Sequence, residues 1–276
     1  MKNFRFAKTE ESLKFVKSRH NKYTIMQAVI LAGGYGTRLY PLTINAPKPM
    51  IPVAGKPMIE YLIDKITHRG DISEIFIVSN EKFSHVFTEW LNEKPNPKIT
   101  IVNDGTTSNE TRLWPIGDLD FLMKTCNLSE DVLILWWDNL FEDDLSAALE
   151  TFKEKGDTVV LYDVGDLELA KQLWNVTLNE ENNITAFVEK PEAPSSTLCA
   201  TMVYAIKKEH LKYIPLLLEE WKKKNAGELK AGELIAYIMK HEKIWGETLT
   251  GKWFDIGTLE QLKKAEEWIY LKRGEK

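Results

Sequence analysis

Three glycines fall within four positions of LAGGYGTRL, residues 31–39, and Arg38 follows two residues after the last of them. Glycine loses more backbone freedom on folding than any other residue and reaches positive φ at no steric cost. A cluster of this kind makes either a tight surface turn or a loop whose amides approach a phosphate closely, with a cation beside it. The spacing is neither GxGxxG nor the GxxxxGK[ST] of a P-loop. The chemistry open to the second reading is polyanion binding by bare backbone and a guanidinium.

The elements around the loop favour a ligand there. Residues 24–31 form an apolar run that reads as a buried strand feeding the glycines. Further strands are expected over residues 73–79, 98–102, 132–137 and 158–162. Helices are expected over 59–67, 82–91 and 140–155. Alternation of near-continuous apolar strands with helices predicts an α/β fold, with a mostly parallel mixed sheet and helices on both faces. Ligands in such sheets bind beyond the carboxyl ends of the strands, which is where the glycine loop begins. The second half is richer in strands. A hairpin is expected over 174–178 and 184–188 around a turn at 180–183, then a strand over 201–206. A helix over 207–224 interrupted by Pro215, strands over 244–249 and 252–255, and a closing helix over 259–272 complete the chain. The reading is one domain over residues 25–276, with a strand-rich substrate portion over roughly 170–255 and a basic extension over 1–24.

Composition excludes several classes. The 276 residues are 43% hydrophobic and 28% charged, with a net charge of −5, which gives no general argument for nucleic acid. The apolar run at 132–137 is far too short to span a membrane. Cys126 and Cys199 are expected to be reduced, buried thiols of a cytoplasmic protein. The five histidines show no metal-ligand spacing. Residues 1–24 hold seven Lys/Arg against Glu10 and Glu11, a charge of +5, leaving −10 for the remainder. Thr9, Glu10 and Glu11 would cap a short helix carrying Leu13 and Val16. This arm reads as a solvated or packed extension, or as a contact for a partner in a homo-oligomer.

Beyond the glycines the loop continues through residues 31–57 as LAGGYGTRLYPLTINAPKPMIPVAGKP. Its GGxGTRL…PK pattern resembles the sugar-1-phosphate nucleotidylyltransferases, including the glucose-1-phosphate thymidylyl- and uridylyltransferases, and the resemblance runs from Thr24 to the C-terminus. It implies a Rossmann-like nucleotidyltransferase fold, with a nucleoside triphosphate and a sugar-1-phosphate as substrates and Mg²⁺ as cofactor. It assigns Arg38 and Lys48 to the transferring phosphates. Leu31, Gly33, Gly34, Gly36, Thr37, Asn109 and Gly117 fall to the nucleotide, Glu189 and Lys190 to the sugar phosphate, and Asp138 and Asp255 to the metal. The chain ends soon after its closing helix, so no appended acyltransferase domain is expected.

Four positions depart from the pattern. Trp114 stands at the first glycine of an LGxxG motif, Trp137 precedes the metal aspartate where glycine is usual, Trp174 replaces the glycine of YGVV, and Met202 replaces a glycine in the strand after EKP. In the family these are places where bare backbone meets nucleotide or sugar. A tryptophan buries up to roughly 250 Å², so these side chains would line or fill the cleft. Three alternatives stay open: an active enzyme with a reshaped pocket, a catalytically blocked relative that binds a protein partner, and an engineered variant whose indoles hold a flat apolar ligand.

Overall fold

The computed structural model describes residues 25–39, 41–224 and 227–274; the helix expected within 1–24 lies outside them. Strand β1 (Met26–Leu31) is buried at every position. Its side chains alternate between two cores: Val29 and Leu31 enter one, while Met26, Ala28 and Ile30 enter the other. That division explains the near-continuous apolar run, because a strand covered on both faces buries nearly every side chain, and its one polar residue, Gln27, is buried with its amide hydrogen-bonded to Glu74 and the Asn127 carbonyl.

A short hairpin, β2 (Pro52–Val53) and β3 (Lys56–Pro57), leads into helix α1 (Met58–Thr67). Then come β4 (Ile72–Ser79), α2 (Ser84–Glu93), β5 (Ile99–Asn103), α3 (Trp114–Thr125) and β6 (Asp131–Trp136). Next are β7 (Asn139–Phe141), α4 (Ser146–Lys155), β8 (Thr158–Asp163) and the single turn α5 (Leu167–Ala170). The antiparallel part contains β9 (Trp174–Leu178), β10 (Ile184–Glu189) and β11 (Leu198–Ile206). Helices α6 (Tyr213–Lys224) and α7 (Glu233–Ile238), strands β12 (Trp245–Thr248) and β13 (Trp253–Asp255), and helix α8 (Leu259–Arg273) close the chain.

Nine strands form one mixed sheet in which β6, β1, β4 and β5 make a parallel block. Antiparallel β11 joins this block to β9 and β10 on one side and to β8 on the other. Helices α3, α6 and α7 cover one face; α1, α2 and α4 cover the other. Helix α8 is started by Thr258, whose hydroxyl accepts from the Gln261 amide, and ended by Gly274 at φ +69.

Two expected helices are corrected. The one placed over 140–155 starts only at Ser146, because Asn139–Phe141 is buried and pairs with β13, far away in sequence. The one placed over 207–224 divides into a 3-10 turn at Lys208–His210 and α6. Pro215 then sits in the first turn of α6, where its missing N–H has no helical partner to lose. Helix α3 is not among the expected helices; it starts at Trp114, whose φ of +64 is unusual for a tryptophan, with Pro115 in its first turn.

Candidate active site

A cleft of about 710 Å³ opens at the carboxyl end of β1, inside the range of about 300–1,000 Å³ used by small-molecule sites. Leu31, Gly33, Gly34, Gly36 and Thr37 line one wall. Gly36 has φ +63, and a Cβ there would lie 3.1 Å from Thr43 Cγ2 and 3.3 Å from Lys48 Cβ. The Thr43 hydroxyl fixes this turn by donating to the Gly36 carbonyl at 2.7 Å. Gly33 is packed from beneath: a Cβ would stand 2.9 Å from Asp118 Oδ2 and 3.2 Å from Asp104 Oδ2. A Cβ on Gly34 would meet nothing within 4 Å. The fold demands two of the glycines, and the third turns bare backbone towards open space.

Arg38 lies in the 3-10 turn Thr37–Leu39; its side chain lies outside the described part. Lys48 starts a second 3-10 turn and is buried, with Nζ 4.3 Å from the centroid of the Trp137 ring. A cation over an indole face is stabilised by the ring quadrupole. The two aspartates approach through strand pairing. Asp255 faces Asn139 across the β7–β13 ladder, one residue from Asp138, and the Ile256 amide donates to the Asp138 carbonyl at 2.9 Å. Buried Asn139 is held on both sides: its Oδ1 accepts from Trp253 Nε1 at 2.7 Å and its Nδ2 donates to the Trp136 carbonyl at 3.1 Å. Asp138 and Asp255 both line the cleft.

The remaining wall is aromatic. Trp114, Trp137, Trp174 and Met202 all border the cleft, with Trp136 and Trp253. Trp114 has φ +64 and Met202 has φ +64, the left-handed region that glycine enters freely and bulky residues enter at about 1–3 kcal/mol. The backbone conformation of a glycine is therefore retained at both positions without the glycine. Met202 sits where the β11–β8 register shifts, between Ala200 and Tyr204, and its sulfur accepts from the Tyr204 hydroxyl at 3.0 Å. Trp174 is on ordinary strand β9. It stacks on Phe187 at 5.0 Å and lies against Gly232, where any Cβ would overlap the indole. Trp137 and Trp114 are held by Lys48 and Arg112 of the same lining, and Trp174 by Phe187 and Gly232, with the cleft open between them.

Asn109 accepts from Arg112 Nη1 at 2.7 Å, and that guanidinium lies 3.3 Å over the Trp114 ring. Glu189 pairs with Lys230 at 2.6 Å. Lys190 is exposed at φ +43, and its amide donates to the Leu173 carbonyl at 2.9 Å. Gly117 is not part of this lining; its missing side chain lets α3 close on Leu113, whose Cβ would be 2.9 Å from a Cβ there.

Sequence reasoning missed Asp104, Arg112, Asp118 and Lys230 as cleft residues. Asp118 carried a signal, an acid between the buried Ile116 and Leu119. Lys230 carried none, because only tertiary contact brings it to Glu189. Among the described residues no group of three or more His, Cys, Asp or Glu is placed to hold a metal. None of their helices is long and apolar enough to cross a membrane.

Residues 27–270 match the family described as nucleotidyl transferase. The bifunctional protein GlmU of Methanocaldococcus jannaschii is 32% identical over 244 residues, which cover 88% of this chain and 54% of that protein. The low-salt glycan biosynthesis nucleotidyltransferase Agl11 of Haloferax volcanii is 25% identical over 252 residues, 88% of this chain and 66% of the relative. This chain thus spans about half the length of the GlmU relative. The fold is shared with a UDP-glucose pyrophosphorylase from Acinetobacter baumannii at a TM-score of 0.71 and 21% identity, over 90% of this chain and 94% of that one.

Proposed function

This chain belongs to the nucleotidyl transferase family for sugar phosphates, and from that premise we propose that it joins a nucleoside triphosphate to a sugar-1-phosphate, releasing pyrophosphate, in the cytoplasm. One observation carries the reading: the open backbone at Gly34, the buried Lys48 and the Asp138–Asp255 pair border a single cleft.

A phosphate oxygen of the sugar-1-phosphate attacks the α-phosphorus of the triphosphate. The bond to the β-phosphate oxygen breaks, and pyrophosphate leaves with that electron pair. Such transfers need positioning and charge stabilisation rather than covalent work by the protein. The amides of Gly33 to Thr37 cradle the triphosphate, and Arg38 and Lys48 offset its charge. Asn109, on the loop before α3, meets the base, with Gly117 shaping the start of that helix. Glu189 and Lys190 hold the sugar phosphate from the far side. Asp138 and Asp255 offer hard oxygen donors, and a pair of carboxylates completed by phosphate oxygens suits Mg²⁺. When bound, Mg²⁺ supplies charge neutralisation at the phosphates.

The test is pyrophosphate release by the purified chain with Mg²⁺, across four nucleoside triphosphates and several sugar-1-phosphates, with Asp138→Asn as control. Turnover that vanishes in the control supports the reading; silence from folded protein throughout the matrix defeats it. A second reading is favoured by the strained Trp114 and Met202: a catalytically blocked cleft whose indoles hold a flat apolar ligand or a protein partner. Quenching of tryptophan fluorescence by planar aromatics but by no triphosphate would select it.

A further inference from the structure

Two carboxyl groups pack against Gly33 of the glycine loop. Asp104 follows β5 and Asp118 lies in the first turns of α3; both are buried and both border the cleft. Their Oδ2 atoms converge on Gly33, at 3.2 and 2.9 Å from the point its Cβ would take. Two buried carboxyl groups converging on one point repel if both are ionised, and they pair through a hydrogen bond only as carboxylate and carboxylic acid. Asp104 Oδ1 is already occupied, accepting from the Thr106 amide and hydroxyl, each at 2.7 Å. Asp118 Oδ1 is buried without a hydrogen-bond partner in the described structure. The donor geometry therefore puts the proton on Asp118 and the charge on Asp104.

We infer that Asp104 and Asp118 are positioning residues for the phosphate loop, and that triphosphate binding above Gly33 depends on the proton they share. The inference rests on reading the glycine loop as the triphosphate site. Loss of the proton would place two like charges under Gly33, break the carboxyl–carboxyl bond and add a negative charge where a polyanion must sit. Burial, then the Asp104 charge, pushes Asp118 well above the ordinary carboxylate range, and burial also raises Asp104. Other groups of the same wall are fixed in their own contacts. The Tyr35 phenol donates to the Thr106 carbonyl at 2.9 Å, and Asn80 Nδ2 donates to the Gly33 carbonyl at 2.9 Å. Glu110 and Arg112 follow Asn109 on the loop before α3, and Lys48 lies beside Gly36. None of these contacts supplies a donor to Asp118 Oδ1.

The sign for stability follows from the raised carboxyl. As pH rises through the ordinary aspartate range, the unfolded chain releases the Asp118 proton and the folded chain keeps it. Folding stability contributed by this group is full below that range and declines until the folded carboxyl itself ionises.

The experiment uses the 276-residue chain, with Asp118→Asn and Asp104→Asn as variants that keep shape and cannot titrate. Binding of inorganic tripolyphosphate, without divalent metal, is measured by calorimetry from pH 5 to 9, together with melting temperature over the same range. Wild-type affinity is expected to fall relative to Asp118→Asn by roughly three- to tenfold towards the alkaline end, the size of one added charge near a phosphate. The melting temperature of wild type should fall with pH relative to the same variant. Binding with identical pH profiles in wild type and both variants overturns the inference. Coincident melting profiles overturn the shared proton. If tripolyphosphate binds neither wild type nor variants at any pH, the triphosphate reading fails, and the pair is then only a strut under the loop, whatever the melting profiles show.

Discussion

The two ends of the cleft are built on different terms. At the glycine-loop end, proposed as the phosphate end, Gly33 and Gly36 stand where a side chain would collide and Gly34 faces open space; Lys48 is buried beside them and two aspartates close the wall. Every residue type there suits its backbone. At the aromatic end, proposed for base and sugar, Trp114 and Met202 hold φ +64, the backbone of a glycine under a bulky side chain. The surrounding structure holds that conformation: Pro115 and helix α3 follow Trp114, and the β11–β8 register shift contains Met202. The lesson is that backbone geometry here is set by the sheet and helices around it, so side chains can change at one end while the loop at the other stays intact.

The largest expected effect tests the phosphate end. If the proposed reaction occurs there, Asp138→Asn or Asp255→Asn should lower pyrophosphate release by about 10²–10³-fold, the size of a lost preorganised charge-stabilising group. Loss of less than tenfold in both would remove them from the chemistry.

The next tests compare the indoles with each other. Trp174→Gly forfeits the Phe187 stack and the packing on Gly232, and should destabilise by about 2–4 kcal/mol. Trp114→Gly and Met202→Gly also lose contacts, but the relief of a left-handed bulky residue offsets them, leaving each within about 1 kcal/mol of the parent. Chemical denaturation of the three variants orders them. A Met202→Gly cost equal to that of Trp174→Gly would mean the positive φ carries no strain, and the contrast between the ends would collapse.

The smallest effect probes the bulged stretch itself. Cys199, three residues before Met202 in β11, is fully buried, and burial pushes its thiol up to about 11. Native protein should resist alkylation there at pH 8, and the residual rate should rise about tenfold per pH unit as thiolate forms. Mass spectrometry of labelled protein reads this directly. Rapid labelling at pH 8 would show that the bulge around Met202 opens.

Much of the fold was legible because its parallel strands are largely buried on both faces and read as near-continuous apolar runs. The strand at residues 24–31 was expected and is Met26–Leu31. The hairpin over 174–188 was expected as well, its turn marked by Asn182 at φ +63. Helix α3 was not legible, since Gly117 within its first turns weakens helix propensity and no Ser, Thr, Asp or Asn stands at its start. Strand β7 was hidden because three residues carry too little period to separate from the helix that follows.

The sequence by itself determined the glycine loop, its place after the first strand, and the departures at Trp114, Trp137, Trp174 and Met202, because spacing and residue type are local properties. Tertiary structure alone decided that the cleft stays open at about 710 Å³, since that depends on where each indole finds a partner. Lys48, Arg112, Phe187 and Gly232 supply those partners from segments distant in the chain or turned back on it. It alone also brought Asp104 and Asp118 together under Gly33. Two carboxyls fourteen residues apart in the sequence share a proton only when a loop and a helix bury them against the same glycine.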